Sequence, residues 1–101
     1  MMVLPKGVRH IPGYLDRIAQ QALLEDIRDV VRVAPLFVPV MPRTGKPFSV
    51  RMTNCGPLGW VADKNGYRYQ SKHPDTGLSW PEIPPRLMKL WEDLSGYGHP
   101  P

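Results

Sequence analysis

Three histidines, nine carboxylates and one cysteine are the side chains in this 101-residue sequence best suited to ligate a metal or act in acid–base or nucleophilic chemistry. A site that seats a metal on two imidazoles and a carboxylate needs all three to converge on one cation. Two of them often come from a His-x-Asp pair, and His73-Pro74-Asp75 has that spacing. Only His10 and His99, near the two ends, could complete the set. A turn stabilised by the Asp75 side chain accounts for the same residues without a metal. Cys55 sits in a tight Asn54-Cys55-Gly56-Pro57 turn with no evident group to orient a base toward it, so it reads as a small, semi-buried side chain. Asn54 to Gly59 lacks the lysine and following helix of a phosphate-cradling loop. No catalytic and no metal-ligating residue is assigned.

The remaining constellation is basic and aromatic. Net charge is +4, and it is uneven. Arg43, Lys46, Arg51, Lys64, Arg68 and Lys72 face only Asp63 within residues 43–72, a net of +5, while the rest of the chain carries −1. Trp60, Tyr67 and Tyr69 fall among these cations. Two readings stay open from the residues alone. The aromatics pack a thin sheet beneath a solvated basic face, or they stack on unpaired bases while the cations meet phosphates. On charge alone, Lys46, Arg51 and Arg68 are the phosphate-contact candidates.

These residues need elements to position them. Thirteen prolines and nine glycines break the chain often, but 42% hydrophobic and 22% charged residues exclude a disordered tail. The length allows one domain at most, too little for a TIM barrel, a doubly wound sheet or a jelly-roll enzyme core. Val3 to Ile11 reads as an extended entry with a strand near Gly7–Ile11. Leu15, Ile18, Ala19, Ala22, Leu23, Ile27, Val30 and Val31 recur at helical spacing, with Asp16 as N-cap and Pro35 as the stop. Phe37 to Val40 looks extended, and Phe48 to Thr53 alternates as a half-buried strand. Strands over 58–62 and 66–70 flank an Asp63-Lys64-Asn65-Gly66 turn, completing a small antiparallel meander. Pro84 and Pro85 open a last helix with the stripe Leu87, Leu90, Trp91 and Leu94, and Gly96 ends it. The expected fold is therefore α+β: an N-terminal helix, a β-meander and a C-terminal helix. No apolar run is long enough to cross a membrane or lead a secretory signal, and a lone cysteine suits a reducing compartment, so a cytoplasmic protein is expected.

The stretch Ser49-Val-Arg-Met-Thr-Asn-Cys-Gly-Pro-Leu-Gly-Trp60 resembles the N-terminal region of the bacterial AlkB proteins, Fe(II)/2-oxoglutarate dioxygenases that repair alkylated bases. The likeness continues through Gly66-Tyr-x-Tyr69, His73-Pro-Asp-Thr-Gly77 and Trp80-Pro-x-Ile-Pro84 to Gly96-Tyr97, and is densest over 49–85. It implies a nucleotide-recognition lid over 35–72, between an entry and helix at 1–34 and a loop and helix at 73–101. It also implies that Trp60 stacks on a flipped base, that Tyr67 holds the substrate backbone and that Met52 lies near the base pocket. A flipped base needs a π-face and a cationic surround, which these residues supply.

The family continues into a double-stranded β-helix that carries the iron ligands and the 2-oxoglutarate clamp, and neither motif stands in these 101 residues. The resemblance thus implies one partial domain of a longer enzyme, inactive alone, whose parent binds Fe(II) and 2-oxoglutarate. Single-stranded or damaged DNA is the expected partner, with RNA as an alternative, and no membrane. The rival readings are a free-standing nucleic-acid-binding module and an interaction protein that docks on a separate catalytic core. Both helices carry apolar stripes, so self-association is expected.

Overall fold

Asp16 starts the first regular element. In the computed structural model, which describes residues 3–99, its carboxylate accepts from the Ala19 amide at 2.7 Å and opens α1, Arg17–Val33. The cap satisfies one of the amides that the first turn leaves free. Pro35 stops the helix as its missing N–H requires. The Ala34 carbonyl at that end accepts from the Thr53 hydroxyl at 2.7 Å, so a residue 19 positions further along the chain closes α1.

Among the described residues the entry forms no strand, which corrects the expectation for Gly7–Ile11. The Val8 amide donates to the Pro5 carbonyl at 3.1 Å, and the Tyr14 amide to that of Ile11 at 3.3 Å. Gly7 and Gly13 take φ of 87° and 70° inside these two turns. The Pro-x-Gly and Pro-Gly pairs turn the chain before an extended segment can form.

The meander also shrinks. Phe37 and Met52 exchange both backbone hydrogen bonds, at 2.8 and 2.9 Å, and Val40 bridges Pro47. Between these bridges one side advances three residues and the other five, so the pairing bulges. Pro39, Pro42 and Pro47 withhold amides from the ladder, and Phe48–Thr53 remains a bridged loop instead of a strand. One two-stranded sheet is left among the described residues: β1, Gly59–Asp63, antiparallel to β2, Gly66–Gln70. Trp60 lies opposite Tyr69, Val61 opposite Arg68 and Ala62 opposite Tyr67. In the connecting turn the Asp63 carboxylate accepts from the Asn65 amide at 2.8 Å, and Gly66 alone takes positive φ, 103°.

The last helix, α2, spans Pro85–Ser95 and ends at Gly96 in the left-handed region, φ 78°. An Arg86–Asp26 ion pair of 3.0 Å ties it to α1. The core is small: Ala34, Phe37, Val61 and Trp80 cluster, and Met52 packs against them. Neither helix contributes a fully buried residue.

His73 belongs to this core, only 2% exposed. Its Nδ1 accepts from the Asp75 and Thr76 amides at 3.0 and 3.2 Å. The proton therefore sits on Nε2, which donates to the Pro35 carbonyl at 2.6 Å. The ring stands edge-on to Phe37 at 5.3 Å and tilted to Trp80 at 5.3 Å. The imidazole, not the Asp75 side chain, holds this turn.

Candidate functional site

The β1–β2 hairpin sorts its side chains by parity. Val61, Arg68 and Gln70 point to one face, while Trp60, Tyr67 and Tyr69 point to the other. On the second face the Trp60 indole stacks on the Tyr67 ring, with centroids 5.7 Å apart and planes 18° apart. The two residues are diagonal neighbours across the ladder, within reach of aromatic side chains. Phe48 approaches the indole from the loop, 6.0 Å away and tilted by 57°. Tyr67 is 57% exposed and Tyr69 is 70% exposed, so the platform opens to solvent.

The sequence motif that ends in Trp60 is mostly scaffold for that ring. Thr53 closes α1, and the Asn54 side-chain amide donates to the Leu58 carbonyl at 2.9 Å, closing the turn before β1. The Gly56 amide donates to the Pro81 carbonyl at 2.8 Å, with φ of 112° against the Ile83 side chain. Gly59 is the tightest point. A Cβ there would lie 2.5 Å from the Trp80 ring, whose Nε1–H donates to the Gln70 carbonyl at 2.8 Å. Trp80 thus meets β1 at Gly59 and β2 at Gln70, on the face away from Trp60.

The site candidates divide. Trp60 and Tyr67 are brought together. Lys46 and Arg51 are exposed in the loops before β1. Arg68 stands on the opposite face and grips Asp63 through two hydrogen bonds of 2.8 Å, with its Nε donating to Gln70 at 2.9 Å. This fork and the Asn65 amide hold the Asp63 carboxyl well below the ordinary range, at about 2. Arg68 is thereby engaged within the hairpin and is not joined to the aromatic platform. Met52 turns toward the Phe37–Trp80 core, on the side Val61 faces, and does not line the platform. Sequence reasoning missed Phe48, because its alternation read as a strand facing the core. Its place beside Trp60 follows only from the bulged pairing of 37–52.

With Arg68 and Asp63 matched, Arg43, Lys46, Arg51, Lys64 and Lys72 remain. Among the described residues none of the five has a carboxylate within 4.0 Å, and all are exposed. Lys64 lies in the hairpin turn and Lys72 just after β2, and the other three stand in the loops before β1.

A metal does not fit here. Both His73 nitrogens are committed to backbone partners. Among the described residues no three His, Cys, Asp or Glu side chains converge as a metal set. Cys55 is half-buried, and burial pushes its thiol up, away from the thiolate a nucleophile needs. No helix among the described residues is long and apolar enough to cross a membrane.

Comparison with known proteins adds a family context. The sequence profile of the 2OG-Fe(II) oxygenase superfamily matches residues 7–101. An alpha-ketoglutarate-dependent dioxygenase AlkB homolog of Caulobacter vibrioides is 47% identical over 90 residues, which cover 89% of this chain and 40% of the relative. The alpha-ketoglutarate-dependent dioxygenase AlkB of Escherichia coli K12 is 42% identical over 72 residues, 71% of this chain and 33% of the relative. That of Salmonella typhimurium is 46% identical over 66 residues, 65% and 30% respectively. The aligned residues span less than half the length of each of these relatives.

Proposed function

This chain belongs to the 2OG-Fe(II) oxygenase superfamily and within it to the AlkB family, and on that premise we propose that it recognises the substrate of an alkylated-base dioxygenase. In this reading residues 35–72 are a nucleotide-recognition lid and single-stranded or damaged DNA is the ligand, with RNA as an alternative. Fe(II) and 2-oxoglutarate would supply the oxidation of the alkyl group. Because the side chains here do not fit a metal, no step of that chemistry is assigned to them. Their task is to bind and orient the base.

The observation that carries the reading is the Trp60–Tyr67 stack on the open face of the hairpin, in a stretch of chain that holds five exposed cations without carboxylate partners. An indole packed beside Tyr67 and Phe48 offers a π-face to any unpaired base, and stacking of this kind contributes about 1–3 kcal/mol per base. In this reading Lys46 and Arg51, both exposed, meet phosphates, a sequence-independent attraction that weakens as salt rises because counterions released into a more concentrated solution gain less entropy.

The test is a titration of the chain with a short single-stranded oligonucleotide carrying one methylated adenine. Trp60→Ala is expected to weaken binding at least about fivefold, the lower end of a lost stack. Arg51→Ala is expected to flatten the salt dependence by about 0.7 in the log–log slope. Unchanged affinity in Trp60→Ala would remove Trp60 from the site and the reading with it.

A further inference from the structure

Tyr69 has no role in the packing described above. It lies opposite Trp60 in the ladder, yet the indole leans toward Tyr67 instead. Among the described residues the Tyr69 ring stacks on no other aromatic ring, its hydroxyl makes no hydrogen bond, and it is 70% exposed. A tyrosine that serves packing would be covered by a cross-strand neighbour. This one is left bare on the same face as the Trp60–Tyr67 pair.

We propose that Tyr69 is a second stacking platform, taking the base next to the one held at Trp60, so that the hairpin reads two adjacent, unstacked nucleotides. The inference rests on the substrate-recognition reading and deepens it. Trp60 and Tyr69 stand directly opposite across the ladder, with Cβ atoms about 4.5–5.5 Å apart, and the indole leans away from Tyr69 toward Tyr67. Neighbouring bases in a stacked strand rise only about 3.4 Å. Two bases seated at these positions are therefore splayed apart, which a single strand permits and an intact duplex resists. The charge fits a polyanion laid along the strand. Lys64 precedes β2 and Lys72 follows it, both exposed and without a carboxylate within 4.0 Å.

The proposal makes Tyr69 a specificity residue for strand state and footprint. The probes are thymidine monophosphate, single-stranded trithymidylate and a twelve-base-pair duplex, each titrated into the whole chain at one salt concentration. Tyr69→Ala is expected to weaken trithymidylate binding at least about fivefold and to leave the monophosphate within twofold. Tyr69→Phe should bind as the parent does, because it keeps the ring, while Tyr69→Leu should bind as the alanine variant does. The parent is expected to prefer trithymidylate over the duplex, and Tyr69→Ala to lose most of that preference. Parental trithymidylate affinity in Tyr69→Ala, with Trp60→Ala impaired, overturns the second platform and leaves the Trp60 reading standing. Parental affinity in Trp60→Ala overturns that reading and the two-base footprint together. If the Tyr69 face instead covers a second copy of the chain, Tyr69→Ala lowers the dimer fraction in sedimentation and spares trithymidylate, which also overturns the proposal.

Discussion

Residue identity decides the site through parity and partners. Trp60 and Val61 are adjacent, yet one faces solvent with Tyr67 and the other the core. Arg68 and Tyr67 are separated in the same way, so the Arg68 charge lies on the face away from the stack. Its guanidinium already neutralises Asp63. That pair has a measurable consequence. A carboxyl whose folded pKa is lowered stabilises the fold above its ordinary value and loses that contribution as pH falls through the folded value. The Asp63 contribution is thus complete above the ordinary 3.8 and disappears toward about 2. Carboxyl chemical shifts should show an Asp63 midpoint near 2, moving up toward 3.8 in Arg68→Gln. A parental midpoint close to 4 would show that the fork does not persist in solution.

At the scale of elements, the hairpin depends on one large ring beneath it. Trp80 occupies the space that a side chain at residue 59 would need, and its indole N–H binds the end of β2. Gly59→Ala must push the ring or the strand aside, and overpacking of this kind costs about 1–3 kcal/mol. Thermal melts should therefore show a clearly lowered midpoint for Gly59→Ala. They should show a smaller drop for Asp16→Ala, which removes only the N-cap at about 1 kcal/mol. Equal stability of Gly59→Ala and the parent would refute the tight contact. Both helices, the β1–β2 hairpin and its turn were legible, because caps, breakers and alternation are local signals. The entry turns and the bulged 37–52 pairing were not. There, prolines deny the ladder its donors, and the register depends on which distant residues meet.

For the whole molecule, surface area sets the expectation. The chain exposes 8059 Å², about 2,300 Å² beyond the roughly 5,800 Å² expected of a compact monomer of its mass. Its radius of gyration is 16.6 Å, against about 13 Å for a compact domain of 100 residues. Within the two stripes read from the sequence Ile18, Ile27 and Leu94 are 81%, 44% and 45% exposed and the other members are half-buried, so neither stripe is fully covered. The excess surpasses the roughly 800 Å² per partner that a stable interface buries. The isolated chain should therefore self-associate in a concentration-dependent way, and Ile18→Lys with Leu94→Lys should shift sedimentation toward monomer. A monodisperse parent with a cooperative melt would count against this.

The helices, their caps and stops, the hairpin turn, the basic centre and the motif that carries the family can all be read from the order of residues. These are local patterns or compositions, readable without knowing what touches what. Tertiary structure alone decided that His73 is a core pin with both nitrogens spent, that Arg68 is occupied by Asp63, that Phe48 joins Trp60 and that Gly59 is set by Trp80. Each of these depends on the pairing of separate segments in a particular register. A side chain's chemistry follows from its neighbours, and in a chain broken by thirteen prolines those neighbours come from loops that periodicity does not describe.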